Sequence, residues 1–398
     1  MFSSLSIRNF RLYWFGMLVS LVGSWIQAVA QSWLVFDLTR SEFLLGLVGF
    51  LGSLPVFVFS LFAGVFADRI NKKHILLITQ NAFMVLAFAL ALLIQFKMVT
   101  VNQIMLIALL NGIVMAFDSP TRQSIVVELV GKQHLLNAIA LNSAAFNSAR
   151  LIGPALAGIL VAAVGMSGCF YVNGISFVAV IIALLLIKNN HLPKKNNGVF
   201  LKDLNQGIRF IVDNRVILIL ISIVGMASLF GISYAILMPV FADKVLHAGV
   251  KGLGILMSSS GLGALLSALL LARFGMNLKQ RGGLIVFSSI VFSLGLILFS
   301  QSKVFLFSCI YLMVIGWSSV TAMTLVNNSL QILVPDEFRG RVMSAFMFTF
   351  AGVMPFGNLI AGTLAHAWGA PFAVGFSGFA CLAFFLYVWK FFPQLKKI

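Results

Sequence analysis

Apolar residues fall in long runs separated by short polar breaks over almost the whole chain. The runs lie at approximately 12–36, 43–67, 75–96, 103–126, 136–164, 167–187, 216–241, 252–274, 282–301, 304–330, 339–367 and 370–392. A helix of about 20 apolar residues spans the hydrocarbon of a bilayer. Backbone groups in lipid need partners within their own segment, and no period-two alternation suggests a membrane β-barrel. The pattern therefore predicts an all-α membrane protein with twelve transmembrane helices. The first run is too long for a cleaved signal sequence and is read as the first span.

One polar break is longer than the others and divides the spans six and six. It predicts a six-helix bundle over 1–187, a connecting segment over 188–215 and a second six-helix bundle over 216–398. Lys194-Lys195-Asn196-Asn197-Gly198 reads as a solvated linker. Leu201, Leu204, Ile208 and Ile211 recur at helical spacing, which predicts a short amphipathic helix lying on a membrane face. The halves also repeat. An offset of 204 carries Gly112 to Gly316, Gly153 to Gly357, Gly158 to Gly362 and Gly165 to Gly369, and an offset of 206 carries Gly46 to Gly252. Two pseudo-symmetric bundles follow from that repeat.

Charge sets the orientation. The chain carries 27 Lys and Arg against 10 Asp and Glu, a net +17. On a soluble protein that excess would suggest nucleic acid. Here 21 of the basic residues lie at the termini and in the even-numbered loops and 5 in the odd-numbered loops. That asymmetry places both termini in the cytoplasm, in a multi-pass inner (plasma) membrane protein, and argues against nucleic-acid binding. Cys169, Cys309 and Cys381 show no metal spacing and read as packing residues. No phosphate-binding loop or hydrolase signature is present, and no metal or cofactor is implied. The five histidines, His74, His134, His191, His247 and His366, are scattered, which disfavours a multi-pass membrane enzyme.

The second polar break reads Gly64-Val-Phe-Ala-Asp68-Arg69-Ile-Asn71-Lys72-Lys73. It resembles the signature between the second and third helices of the major facilitator superfamily of transporters, with Asn71 in place of the usual Gly. Asn71 is expected to tolerate a left-handed turn there. The resemblance implies that Gly64, Asp68, Arg69, Lys72 and Lys73 form a conformational latch, Asp68 meeting the start of the eleventh span. Ala116–Gln123, Leu136–Ser143, Phe146–Gly158 and Val334–Met343 resemble a bacterial exporter branch that includes enterobactin-exporter-like proteins. Gly153-Pro154 followed by Gly158 is similar to the fifth-helix signature of proton-coupled antiporters. Read from the residues alone, it is a close-packing groove with a proline bend. Ala108 stands where such antiporters carry an arginine in the fourth helix, so coupling would run through other residues.

Asp118 is the one acid well inside a span, about 12 Å from the nearer helix end. Asn111, Met115, Asp118 and Arg122 share a helical face by their spacing. Asp118 and Arg122 are either coupling residues or a static i,i+4 pair. Arg150 lies near mid-membrane, about 20 Å from its helix end, on a face with Asn142 and Phe146. Its expected partner is a group on the first helix or a backbone carbonyl, or else an anionic substrate. Ser20, Ser24, Gln27 and Gln31 form a polar face on the first span, and Trp317, Thr321, Thr324 and Asn328 one on the tenth. Asn147 and Tyr234 add to the polar positions expected to face inward, some only joining helices. The 16 Met and 39 Phe could line a path for an amphipathic ligand, or simply pack. Together these readings predict a monomeric secondary transporter exporting a siderophore or drug-like molecule, with protons as driver. An importer of the same fold, or a non-transporting sensor, would share the same sequence features.

Overall fold

Apolar runs of bilayer length leave the backbone no partner but itself, and the chain is helical almost throughout. The computed structural model describes residues 3–187, 200–274 and 280–397, with side chains described for these except 60–69, 132, 200–205, 207, 396 and 397. Among them, eleven helices are long and apolar enough to cross a membrane. One of the eleven, Gln133–Leu186, runs to 54 residues and breaks at Gly165 (φ 74°, ψ −179°), so it supplies two spans and brings the count to twelve.

The first half comprises α1 (Arg8–Thr39), α2 (Glu42–Arg69), α3 (Lys72–Gln95), α4 (Val101–Gly131), α5 (133–164) and α6 (166–186). A short helix, α7 (Phe200–Asp213), leads into the second half: α8 (Arg215–Val245), α9 (Gly249–Phe274), α10 (Arg281–Gln301), α11 (Phe305–Leu333), α12 (Asp336–Trp368) and α13 (Ala370–Phe391). Helix starts are signed locally. Thr100 and Gln103 form a reciprocal capping box at α4, and the Asn214 side chain caps α8. We call the face holding both chain ends the terminal face and the opposite one the distal face.

The helices meet expectation closely, with four corrections. The loop expected between the fourth and fifth spans shrinks to a break at Gly131 (φ 68°). Pro154 leaves helical dihedrals intact, Gly131 and Gly165 being the only departures along that run. The seventh span is irregular: Ala227–Gly231 and Phe241–Val245 are π-helical, with a 3-10 stretch between them over Ile232–Leu237. The amphipathic helix is present, but it docks on protein. The Phe210 ring stacks on Phe338 at 4.4 Å and Ile211 is buried, whereas Ile208 is exposed. Leu201 and Leu204, and the linker at 194–198, lie outside the described side chains.

The glycines paired by the offset of 204 make equivalent contacts in the two halves, whereas Gly46 meets Asn358 and Gly362 of α12 and Gly252 meets Phe305 of α11. Gly112 sets α4 against the Gly52 carbonyl of α2, and Gly316 sets α11 against the Ser260 carbonyl of α9. Gly153 packs on Trp25 of α1, and Gly357 on Leu229 of α8. Gly158 meets Lys251 on α9, and Gly362 meets Gly46 on α2. Gly165 and Gly369 both turn the chain with positive φ, 74° and 88°. A methyl group at most of these sites would overlap a neighbouring helix, so small residues set the helix spacing here, as is usual between membrane helices.

Candidate functional site

The halves join along two seams. In one, α2 runs against α12, where a methyl on Gly46 would lie 2.7 Å from the Asn358 carbonyl oxygen. Farther toward the terminal face, Phe50 and Phe57 meet Phe356, and Phe57 meets Phe348. In the other, α5 runs against α9. Gly254 faces the Pro154 carbonyl, Gly261 faces the Arg150 carbonyl, and the Ser258 hydroxyl donates to the Leu151 carbonyl at 2.8 Å. Pro154 has no N–H to give the Arg150 carbonyl, which is therefore left to the facing helix. At the distal rim Arg40 pairs with Asp243, Lys244 pairs with Glu42, and both cations sit 5.4 Å from the Phe36 ring centre.

Arg150 sits where the α5–α9 seam ends. Its Nη2 donates to Ser260 Oγ at 3.0 Å, and the Tyr234 hydroxyl lies 3.1 Å from the same oxygen. The partner is thus a hydroxyl across the seam on α9, which corrects the expectation of helix one or a backbone carbonyl. Among the described residues, Arg150 forms no ion pair. Phe146, one turn toward the terminal face, is 47% exposed and meets Trp25 of α1 edge-on at 5.9 Å. Asn142 is half-buried one turn farther on. The described hydrogen bonds between halves lie from the distal rim to Arg150, and the Phe57–Phe348 ring contact lies nearer the terminal face.

Asp118 occupies a different place. It is 1% exposed, inside the first half. One carboxylate oxygen pairs with Arg122, and the other accepts from Thr79 and Gln80 of α3, each at 2.7 Å. Phe10, Tyr13, Leu76 and Ile125 belong to the buried core of that region. The Tyr13 hydroxyl and the Gln80 side-chain oxygen are buried without a hydrogen-bond partner among the described residues. The face shared with Asn111 and Met115 is not uniformly interior, since Met115 is 49% exposed.

Other expected path residues divide between seams and open surface. Gln27 accepts from Asn173 of α6 at 2.6 Å, and Ser20 is buried, so that part of the first-span stripe joins helices within one half. Gln31 and Trp317 are half-buried and Asn328 is exposed. Thr321 shares a buried hydrogen bond with Ser267 at 2.7 Å, and Asn147 donates to its own helix at Ser143. In the turn between α2 and α3, Asn71 takes φ −59° and caps α3 by accepting from the Lys73 N–H, so it serves as a helix cap and not as a left-handed residue. Lys72 pairs with Glu128 of α4, and Lys73 donates to the Ile187 carbonyl at the end of α6. The Gly64, Asp68 and Arg69 side chains lie outside those described. Gly153 packs on Trp25, the Pro154 carbonyl faces Gly254, and Gly158 lies against Lys251. Ser258, Ser260, Trp25 and Thr79 were not singled out from sequence. The spacing of Gly254, Ser258 and Gly261 along one helix face was the available signal for the α9 seam. A small apolar cavity inside the second half, lined by Ile223, Ala227, Phe292 and Phe385, lies apart from Arg150.

Comparison with known proteins agrees with this architecture. The family described as transmembrane secretion effector matches residues 1–397. The staphyloferrin A transporter of Staphylococcus aureus (strain NCTC 8325 / PS 47) is 31% identical over 355 residues, covering 87% of each chain. The enterobactin exporter EntS of Shigella boydii serotype 4 (strain Sb227) is 24% identical over 336 residues, covering 84% of this chain and 79% of that one. A solved D-xylose–proton symporter superposes with a TM-score of 0.76 at 13% identity, over 97% of this chain and 99% of the other. Matched along its length and folded as twelve spans in two pseudo-symmetric bundles, the chain is a membrane transporter of the major facilitator superfamily and belongs to its transmembrane secretion effector family.

Proposed function

We propose that the chain exports a small amphipathic molecule, siderophore-like or drug-like, across the inner membrane by alternating access, with proton antiport as the driver. The observation that supports this reading is closure of the distal side: small-residue seams join the halves from the distal rim to Arg150. Kinship with proteins named as a staphyloferrin A transporter and an enterobactin exporter supports the substrate class. The basic terminal face is cytoplasmic in this reading. The bundles over 1–187 and 216–398 rock about the seams, with 188–215 as their connection, and a monomer suffices. The stretch Gly64, Asp68, Arg69, Lys72 and Lys73 serves as the latch on the cytoplasmic side. Asp118 and Arg122 remain the candidates for coupling.

A deletion strain should lose one small molecule from its medium and accumulate it inside. That molecule, purified, should enter everted vesicles under a proton gradient and stop entering when the gradient is collapsed. Uptake confined to right-side-out vesicles would replace export by import, a reading favoured by the shared fold with a proton symporter. Gradient-independent flux would remove the antiport step.

A further inference from the structure

Arg150 is a cation near mid-membrane whose described partner is a neutral hydroxyl. An intramembrane charge is costly unless it faces water, a partner or a ligand. The nearest candidate acid by depth, Asp118, is engaged by Arg122, Thr79 and Gln80. Arginine keeps its proton, and its planar fork offers five donors, of which the Ser260 bond uses one. Ser260 and Tyr234 bring two hydroxyls to the same point from the other half. On the terminal side the next group along α5 is the half-exposed Phe146, backed by Trp25. A fixed cation, two hydroxyls and an exposed aromatic side chain thus lie close together where the α5–α9 seam ends.

We propose that Arg150, Ser260 and Tyr234 form a binding site for one carboxylate of the transported molecule, whose apolar body lies against Phe146 and Trp25. The proposal rests on the transporter reading and names its substrate class. A single guanidinium balances a single negative charge in a low-dielectric site, and its fork matches the two oxygens of a carboxylate. A phosphate monoester would bring a second charge that no other described cation near Arg150 offsets. The carboxylate takes the place of Ser260 as acceptor for the guanidinium, and the freed Ser260 hydroxyl can donate to it. Because Arg150 belongs to α5 and the hydroxyls to α8 and α9, the bound carboxylate bridges the halves.

The test uses purified full-length protein in detergent with two fluorescent probes of the same body, 1-pyrenebutyrate and 1-pyrenebutanol, read by energy transfer from tryptophan. The wild type should bind the carboxylate about tenfold more tightly than the alcohol, and Arg150→Gln should bind both at the alcohol's affinity. Arg150→Lys keeps the charge without the fork, so the preference should fall severalfold while alcohol binding is unchanged. It also carries the test should the Gln variant fail to fold. No preference in the wild type, or an undiminished preference in either variant, would overturn the site. Tighter binding of 1-pyrenebutyl phosphate than of the carboxylate would overturn the one-charge assignment. No flux enters this assay, so its failure leaves the exporter reading standing. Vesicles that show no transport by protein with an intact carboxylate preference would do the reverse.

Discussion

Asp118 holds three groups from two helices within hydrogen-bonding reach while nearly excluded from solvent. Removing its charge leaves the largely buried Arg122 (16% side-chain exposure) unpaired, and breaking a buried pair from one side typically costs about 3–5 kcal/mol. Asp118→Asn should therefore lower the yield of folded protein, measured by size-exclusion recovery and thermal melting. Asp118→Asn combined with Arg122→Gln should recover much of the loss. A single mutant with full yield that has lost gradient-driven export, while keeping energy-independent exchange, would instead assign Asp118 to coupling. The pair itself was legible in the sequence, because i,i+4 spacing puts both residues on one side of a helix. Thr79 and Gln80 were not, since they arrive from a helix almost forty residues earlier and nothing local to α3 distinguishes a buried hydroxyl or amide from a helix-joining one. Arg150 was legible as a charge needing a partner. Its partner was missed because serines in apolar spans are common and Ser260 gains meaning only from the seam it faces.

At the scale of elements, closure of the distal face has two sources of unequal strength. The rim pairs Arg40–Asp243 and Lys244–Glu42 are partly exposed, with Arg40 at 54% and Lys244 at 47% of side-chain area, and exposed pairs contribute about 0–1 kcal/mol each. The seams are backbone against backbone. A methyl at Gly254 would lie 2.5 Å from the Pro154 carbonyl oxygen, an overlap that no side-chain rotation relieves. Gly46→Leu or Gly254→Leu should thus force the helices apart, whereas Glu42→Gln with Asp243→Asn should change the balance modestly. Spin labels on Leu38 and Lys251, at the distal ends of α1 and α9, report the separation by pulsed dipolar spectroscopy. The Leu variants should add a longer distance component, and the charge-neutral pair should leave the distribution close to wild type. An unchanged distribution in both Leu variants would show that the seams do not govern closure. The spans were readable because lipid forces each apolar run into a helix. The π-helical turns of α8 were not, because a register change of one hydrogen bond leaves hydrophobicity and span length as they were.

Across the whole molecule, the repeat visible as paired glycines becomes a physical symmetry, the pairs Gly112–Gly316, Gly153–Gly357 and Gly158–Gly362 each holding equivalent helices together. Gly158 with Lys251 and Gly362 with Gly46 go further, since these symmetry-related contacts are the ones between halves. A duplicated sequence thereby yields a joint made of two copies of one seam, and either copy opening alone would tilt the halves unevenly. That joint has a direction only if the membrane gives it one, and the charge asymmetry predicts which: the basic residues gather on the terminal face, where the N-terminal turn is tied to α5 by Ser4 and the C-terminal turn lies against Gly282. Single cysteines at Gln280 and Lys303, in a background lacking Cys169, Cys309 and Cys381, test the orientation. Both positions are exposed, one at the start of α10 and one just past its end. In intact cells Lys303→Cys should react with an impermeant thiol reagent, and Gln280→Cys should react only after permeabilisation. The opposite pattern would place the closed distal face in the cytoplasm, so that the same seams would have to open inward to load an exporter.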